Sequence, residues 1–224
     1  MVGDIVIATD GRMYNISIVK PVFEDYRDDP FLNSLEPASF SYTKDGKNYS
    51  AELYPRLLPA MSWIRDSTPK QAIFLSWWDH GHMIRGVAER NVIIFGPSRE
   101  ILYTVSKYAR LSKEELSKIE CPECNPHERV MDVVDALITS DPNRTKNIMK
   151  KYNSEYVLVT ESDRATVMHF LIAGYDPSTY LDEGHKPKEN AMQLVLFKMI
   201  DGKAVRGFEK VYSDRMVRIY KIRD

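Results

Sequence analysis

The sequence predicts an α/β fold, with helices packed on a mixed sheet and antiparallel hairpin strands at the C-terminus. Three observations carry this. Residues 72–76, 92–95 and 156–160 are short, near-continuous apolar runs of the kind that form strands buried on both faces. The stretches around them place apolar residues at helical spacing. The tail instead alternates apolar and polar residues around the turn dipeptide Asp201-Gly202. Strand–helix–strand units followed by hairpins make an α/β layer with a mixed sheet.

Residues 1–50 form an N-terminal arm with short strands. Ile5-Val6-Ile7-Ala8 and Ile16-Ser17-Ile18-Val19 alternate, and Asp10-Gly11 between them is a hairpin signal. Past Pro21, Asp28-Asp29-Pro30, Asn33-Ser34 and Glu36-Pro37 predict irregular chain, and Asp45-Gly46 a further turn. Residues 51–185 are the central α/β domain. Leu53, Leu57, Leu58, Met61, Trp63 and Ile64 predict a helix ended by Asp66-Ser67-Thr68-Pro69. The run at 72–76 leads into Trp77-Trp78-Asp79-His80-Gly81, and Met83, Ile84, Val87 and Ala88 predict a short helix after it. The run at 92–95 is broken by Gly96-Pro97, and Ser98 is the N-cap of the next helix. Ser112-Lys113-Glu114-Glu115 reads as a capping box and Ser140-Asp141-Pro142 as a helix start. After the run at 156–160, Ser162-Asp163 caps a helix reaching about Gly174. Residues 186–224 are assigned to C-terminal hairpin strands on the same core, with alternation over 192–200, 205–212 and 215–222.

The 224 residues hold 31 Lys+Arg against 32 Asp+Glu, a net charge of -1. This removes the basic field that nucleic-acid binding draws on, so no nucleic-acid partner is expected. At 43% hydrophobic, the chain can bury a core. No apolar run approaches the ~20 residues of a membrane helix. Met1-Val2-Gly3-Asp4 lacks the basic start of a signal peptide. A soluble piece is expected, either a whole cytosolic protein or a domain of something larger.

The chemistry concentrates at Trp77-Trp78-Asp79-His80-Gly81. Loops after buried strands are where sites collect in α/β folds. Two adjacent indoles cannot both point the same way along extended chain, so one belongs at or near a surface. The cluster suits a hydroxyl ligand: Asp79 accepts its proton and an indole N–H donates to its oxygen. An analogue lacking the hydroxyl would leave a partly desolvated carboxylate unpaired, at roughly 1–3 kcal/mol. The plainer account is that Asp79 only N-caps its own helix and both Trp are core.

Trp77-Trp78-Asp79-x-Gly81 resembles the WWDxG signature of oligosaccharyltransferase catalytic subunits, the enzymes of asparagine-linked glycosylation, in particular a short archaeal form of the AglB/STT3 family. The position commonly Tyr there is His80 here. The resemblance covers about residues 50–185. It implies a domain that follows a multi-helix membrane domain, on the extracellular face of a multi-pass protein. It implies that Trp77, Trp78 and Asp79 bind the Ser/Thr hydroxyl of an Asn-X-Ser/Thr acceptor polypeptide. The partner in transfer would be a lipid-linked oligosaccharide. Catalytic carboxylates and a divalent cation, Mn or Mg, would belong to the membrane domain, so this chain alone is expected to read acceptors without transferring sugar. No cofactor or metal is assigned within it.

The family's second motif, a helix near the pocket of Asp-x-x-Lys or Met-x-x-Ile form, has its best counterpart in the helix from Asp163. One alignment uses Asp163, Thr166 and Phe170, with Thr where Lys is usual; the other uses Met168 and Leu171, with Leu for Ile. Spacing places Asp163, Thr166 and Phe170 on one helix face. An ordinary capped helix with an apolar stripe fits the same residues.

Cys121-Pro-Glu-Cys124 fits a redox pair, half a zinc site with His127 nearby, or a local disulfide. The resemblance, with its oxidising exterior, favours the disulfide. His80 and His82 diverge as i, i+2 neighbours, and the default for each is a surface histidine. Arg85 is placed to pair with an acid or meet a phosphate. Asn15-Ile-Ser17, Asn48-Tyr-Ser50 and Asn143-Arg-Thr145 are sequons that arise readily by chance. Two other classes stay open: a sugar- or peptide-binding module built on exposed Trp, and a thiol or zinc protein built on Cys121 and Cys124.

Overall fold

Strands β5 (Ile73–Leu75), β6 (Asn91–Val92) and β7 (Tyr156–Thr160) form the parallel part of a five-stranded sheet of order β6-β5-β7-β9-β8. The computed structural model describes residues 6–9, 12–15, 38–96, 101, 104, 128–165, 167–184 and 186–223. Strand β9 (Val217–Ile222) pairs antiparallel with β7 and with β8 (Phe208–Ser213), so the sheet is mixed. The register aligns Phe74 with Tyr156 and Leu75 with Val157.

The side-chain period of two explains the layering. Leu75, Val157, Val159 and Tyr220 point into one core. Helices α3 (Glu128–Ile138) and α6 (Val195–Ile200) fill it, with Met149 of α4 (Pro142–Lys151). Phe74, Tyr156, Leu158 and Ile219 point into the opposite core. There they meet α1 (Leu58–Ser67), the turns after residue 82, and Phe40 and Tyr42. All of β7 is buried, as the unbroken apolar run requires.

Phe40 and Tyr42 lie on β3 (Ala38–Lys44). This strand pairs with β4 (Lys47–Leu53) across Asp45-Gly46, both at positive φ. Strands β1 (Val6–Thr9) and β2 (Arg12–Asn15) complete a second, four-stranded antiparallel sheet of order β2-β1-β3-β4.

Several elements differ from the sequence expectation. The partner of β1 is Arg12–Asn15, directly after Asp10-Gly11, with Thr9 opposite Arg12. Leu53 ends β4, and Pro55 opens a 3₁₀ turn, Pro55–Leu57, before α1. Of the second apolar run only Val92 is strand, joined by Asn91 in β6. The stretch 192–200 is not a strand: Val195–Ile200 is helical and, apart from Lys198, buried, so its apolar residues surround the helix. A strand pattern and an all-round apolar helix look alike over six residues. Asp141 does cap α4, its Oδ1 accepting from Asn143 N at 3.0 Å. Ser98, the segment from Ser112 to Glu115, Cys121, Cys124, His127, Thr166 and His185 lie outside the described residues. Among the described residues, no helix is long and apolar enough to cross a membrane.

Candidate functional site

At the end of β5, extended Trp77 leads into α2 (Trp78–His82), which runs on into a π-helical turn, Met83–Val87. Two glycines hold this segment down. A Cβ on Gly81 would lie 2.5 Å from Phe95 Cβ and 2.8 Å from Ile94 O. A Cβ on Gly96 would lie 2.2 Å from Trp78 Cε3, so Trp78 lies against bare backbone. Gly96 N also donates to Trp78 O, at 3.2 Å.

Trp77 and Trp78 part company as their alternation requires. Trp77 is buried, and its ring meets the His169 ring edge-on with centroids 3.9 Å apart. Trp78 is half-buried. No side-chain cap forms at the start of α2, so Asp79 is not spent as its N-cap. The Asp79 side chain is 40% exposed, yet its Oδ1 is buried and has no hydrogen-bond partner among the described residues. Burial of that oxygen, aided by the nearby Asp163 charge and opposed by His80, raises the Asp79 pKa.

His80 and His82, expected at the surface, are both buried. His80 Nε2 lies 3.0 Å from Asp163 Oδ1, 3.3 Å from Thr160 Oγ1 and 3.4 Å from Asp79 Oδ1. Thr160 N donates to Asp163 Oδ2 at 2.7 Å, and the Thr160 and Ser162 hydroxyls are 2.7 Å apart. Burial alone would lower the His80 pKa, but the carboxylates of Asp79 and Asp163 outweigh it and lift it to about 9. Asp163 responds in kind: burial pushes its pKa up, but His80 and the Thr160 amide bring it below the ordinary value. Tyr42 Oη and His82 Nδ1 are 2.7 Å apart. Arg85 stacks over Phe95 and Tyr49, 3.7 and 4.7 Å from their centroids, with Asp45 3.7 Å away, and its buried Nη1 has no hydrogen-bond partner among the described residues.

The second-motif residues are only partly brought together. Asp163 sits in a 3₁₀ turn, Glu161–Ala165, and α5 (Val167–Ile172) begins after it, so Asp163 and Phe170 do not share one α-helical face. Asp163 reaches the pocket through His80. Phe170 is buried and stacks on Tyr180, 4.7 Å between centroids, and Leu171 is 36% exposed. Backbone alone is described for Met168. Sequence reasoning does not single out His169, which is buried with neither ring nitrogen hydrogen-bonded to a described residue. Burial lowers its pKa to about 4. Its one sequence signal is a polar residue inside an apolar helix stripe.

Asp79, His80 and Asp163 offer ligand atoms within 4.8 Å of one another. In the described arrangement both Asp163 oxygens are already engaged, Oδ1 by the His80 ring and Oδ2 by the Thr160 amide.

The fold is that of the C-terminal globular domain of oligosaccharyltransferases. The chain superposes on the crystal structure of that domain (AfAglB-S2) from Archaeoglobus fulgidus with a TM-score of 0.51 and 16% identity, over 73% of this chain and 94% of that one. A second such crystal structure from Archaeoglobus fulgidus aligns with a TM-score of 0.44 and 21% identity, over 73% and 93% of the two chains. In sequence, the chain matches the dolichyl-diphosphooligosaccharide–protein glycosyltransferase subunit STT3B of rice, Oryza sativa subsp. japonica, 35% identical over 49 residues. That stretch is 22% of this chain and only 7% of the rice protein. No family model matches the chain. Fold and local sequence thus each support the STT3/AglB resemblance that Trp77, Trp78, Asp79 and Gly81 carry.

Proposed function

We propose that this chain is the acceptor-reading domain of an oligosaccharyltransferase catalytic subunit. In this reading it holds the hydroxyl of Asn-X-Ser/Thr while the rest of the full-length membrane protein, facing the exterior, transfers a lipid-linked oligosaccharide to the asparagine. The carboxylates and divalent cation of the transfer step belong to that other part, so the domain alone binds acceptors and is inactive in transfer.

The observation that supports the reading best is Asp79. It stands at a strand exit beside the half-buried Trp78, open on one side, with a desolvated oxygen lacking a partner among the described residues. Oδ1 is turned in toward His80, so the exposed side of the carboxylate presents the other oxygen; an alcohol O–H from a ligand would donate to that oxygen, and a methyl group in its place could not.

The test compares Asn-Ala-Thr with Asn-Ala-Ala peptides at millimolar concentration, read by NMR shifts of the Trp indole N–H groups. The Thr peptide is expected to bind measurably tighter, and Asp79→Asn to erase the difference without loss of fold. Equal shifts with both peptides would reject the reading.

A further inference from the structure

The residue between Asp79 and Gly81 carries a role of its own, resting on the acceptor reading above. We propose that His80 is a positioning residue for acceptor binding: wedged between Asp79 and Asp163, its imidazolium keeps Asp79 a charged acceptor for the ligand hydroxyl.

The geometry is that of one cation shared by two acids. Nε2 lies 3.0 Å from Asp163 Oδ1 and 3.4 Å from Asp79 Oδ1, and His80 is 3% exposed. Asp163 is 5% exposed and fixed from the far side by the Thr160 amide. Two carboxylates this close in a desolvated site cannot both stay ionised without a cation between them. Asp163 is engaged at both oxygens, whereas Asp79 Oδ1 has no hydrogen-bond partner among the described residues, and burial raises the Asp79 pKa even against the nearby His80 and Asp79 amides. Asp79 is therefore the acid that would take up a proton if the imidazolium were removed. Protonated, it would lose the charge that makes it a strong hydrogen-bond acceptor.

The other groups facing His80 are Arg56, from the 3₁₀ turn before α1, and His169, from α5. His169 is neutral until well into the acid range, so it supplies no cation between the two acids at neutral pH. A Tyr at position 80, as in the resembled signature, could donate a neutral hydrogen bond but could not hold two ionised acids together. This chain therefore ties acceptor recognition to a proton on residue 80.

The test tracks two quantities from pH 4 to 8 in the protein, in His80→Gln and in His80→Tyr. One is the Asp79 carboxyl carbon shift; the other is the preference for Asn-Ala-Thr over Asn-Ala-Ala. Gln keeps a donor for Asp163 without charge, and Tyr carries the test if Gln impairs folding. In both variants the Asp79 midpoint is expected to move up by about one pH unit or more, and the Thr preference to fall from its high-pH value about twofold at that midpoint and about tenfold one pH unit below it. An unmoved Asp79 midpoint would overturn the role of His80, whatever the peptides do. Absence of any Thr preference in the unaltered protein would overturn the acceptor reading, and the positioning role with it.

Discussion

His80 Nε2 lies 3.0 Å from Asp163 Oδ1 although 83 residues separate them in the chain. The parallel sheet closes that gap. β5 and β7 are neighbours in register, Leu75 beside Val157, so the segments leaving the two strands emerge at the same edge. Trp77 to His80 come directly after β5, and Asp163 comes directly after β7. Ligand sites of α/β sheets form at the carboxyl ends of adjacent parallel strands for this reason.

The first prediction concerns stability against pH. The His80 pKa is raised from 6.5 to about 9, so the stability it contributes is complete below about 6.5 and lost as pH rises through 9, a span on the order of 3 kcal/mol. His169 acts in the opposite direction. Its folded pKa is depressed to about 4, so its contribution is complete above 6.5 and lost as pH falls toward 4, by a similar amount. Urea melts of the protein, His80→Gln and His169→Phe should show the alkaline slope flattened in the first variant and the acid slope in the second. Parallel curves for all three would refute the assignment.

The second prediction separates the two glycines. Gly81→Ala drives a Cβ into the Phe95 backbone, which has nowhere to go, and should cost about 1–3 kcal/mol. Gly96→Ala meets first the ring of half-buried Trp78, a side chain that can swing toward solvent. It should change stability by less than Gly81→Ala but shift Trp fluorescence and weaken Thr-peptide binding. Thermal melts and emission spectra decide between the two outcomes.

Much of this layout is legible in the sequence because it rests on local period. The runs at 73–75 and 156–160 are strands, Asp141 caps its helix, and Asp45-Gly46 turns. Trp77, Trp78 and Asp79 announce themselves as costly residues at a strand exit. The sequence could not reveal that His80 is buried, because its partners Asp163 and Thr160 arrive from a neighbouring strand. Nor could it distinguish the helix at 195–200 from a strand, since burial on every side erases the period. The break between Asp163 and α5 comes from a 3₁₀ turn that leaves no clear mark in composition.

A third prediction concerns Arg90, at the end of the segment that follows Trp78. It is 3% exposed and gathers a set of carbonyls. Nε donates to Thr68 Oγ1 at 3.0 Å, Nη2 to Thr68 O at 2.7 Å and to Arg65 O, and Nη1 to Ala88 O at 3.2 Å. It thereby ties the end of α1 to the turn after the Trp78–Val87 segment. Arg90→Met keeps the stem but strands these acceptors, and should cost on the order of 3 kcal/mol in a denaturant melt. A loss under about 1 kcal/mol would mean that water replaces the guanidinium.

The last prediction sets the two indoles against each other. Trp77 is 9% exposed and packs on His169 and the α3 side of the sheet, so Trp77→Ala opens a cavity and should cost about 3–5 kcal/mol. Trp78 is half-buried and rests on Gly96, so Trp78→Ala should cost about 1 kcal/mol while removing most of the Thr-peptide preference. Trp77→Phe, which refills most of the volume, should recover stability and retain that preference. If Trp77→Phe abolished the preference while Trp78→Ala left it intact, the indole acting on the ligand would be the buried one, and the pocket would have to open beneath Trp77 rather than beside Trp78.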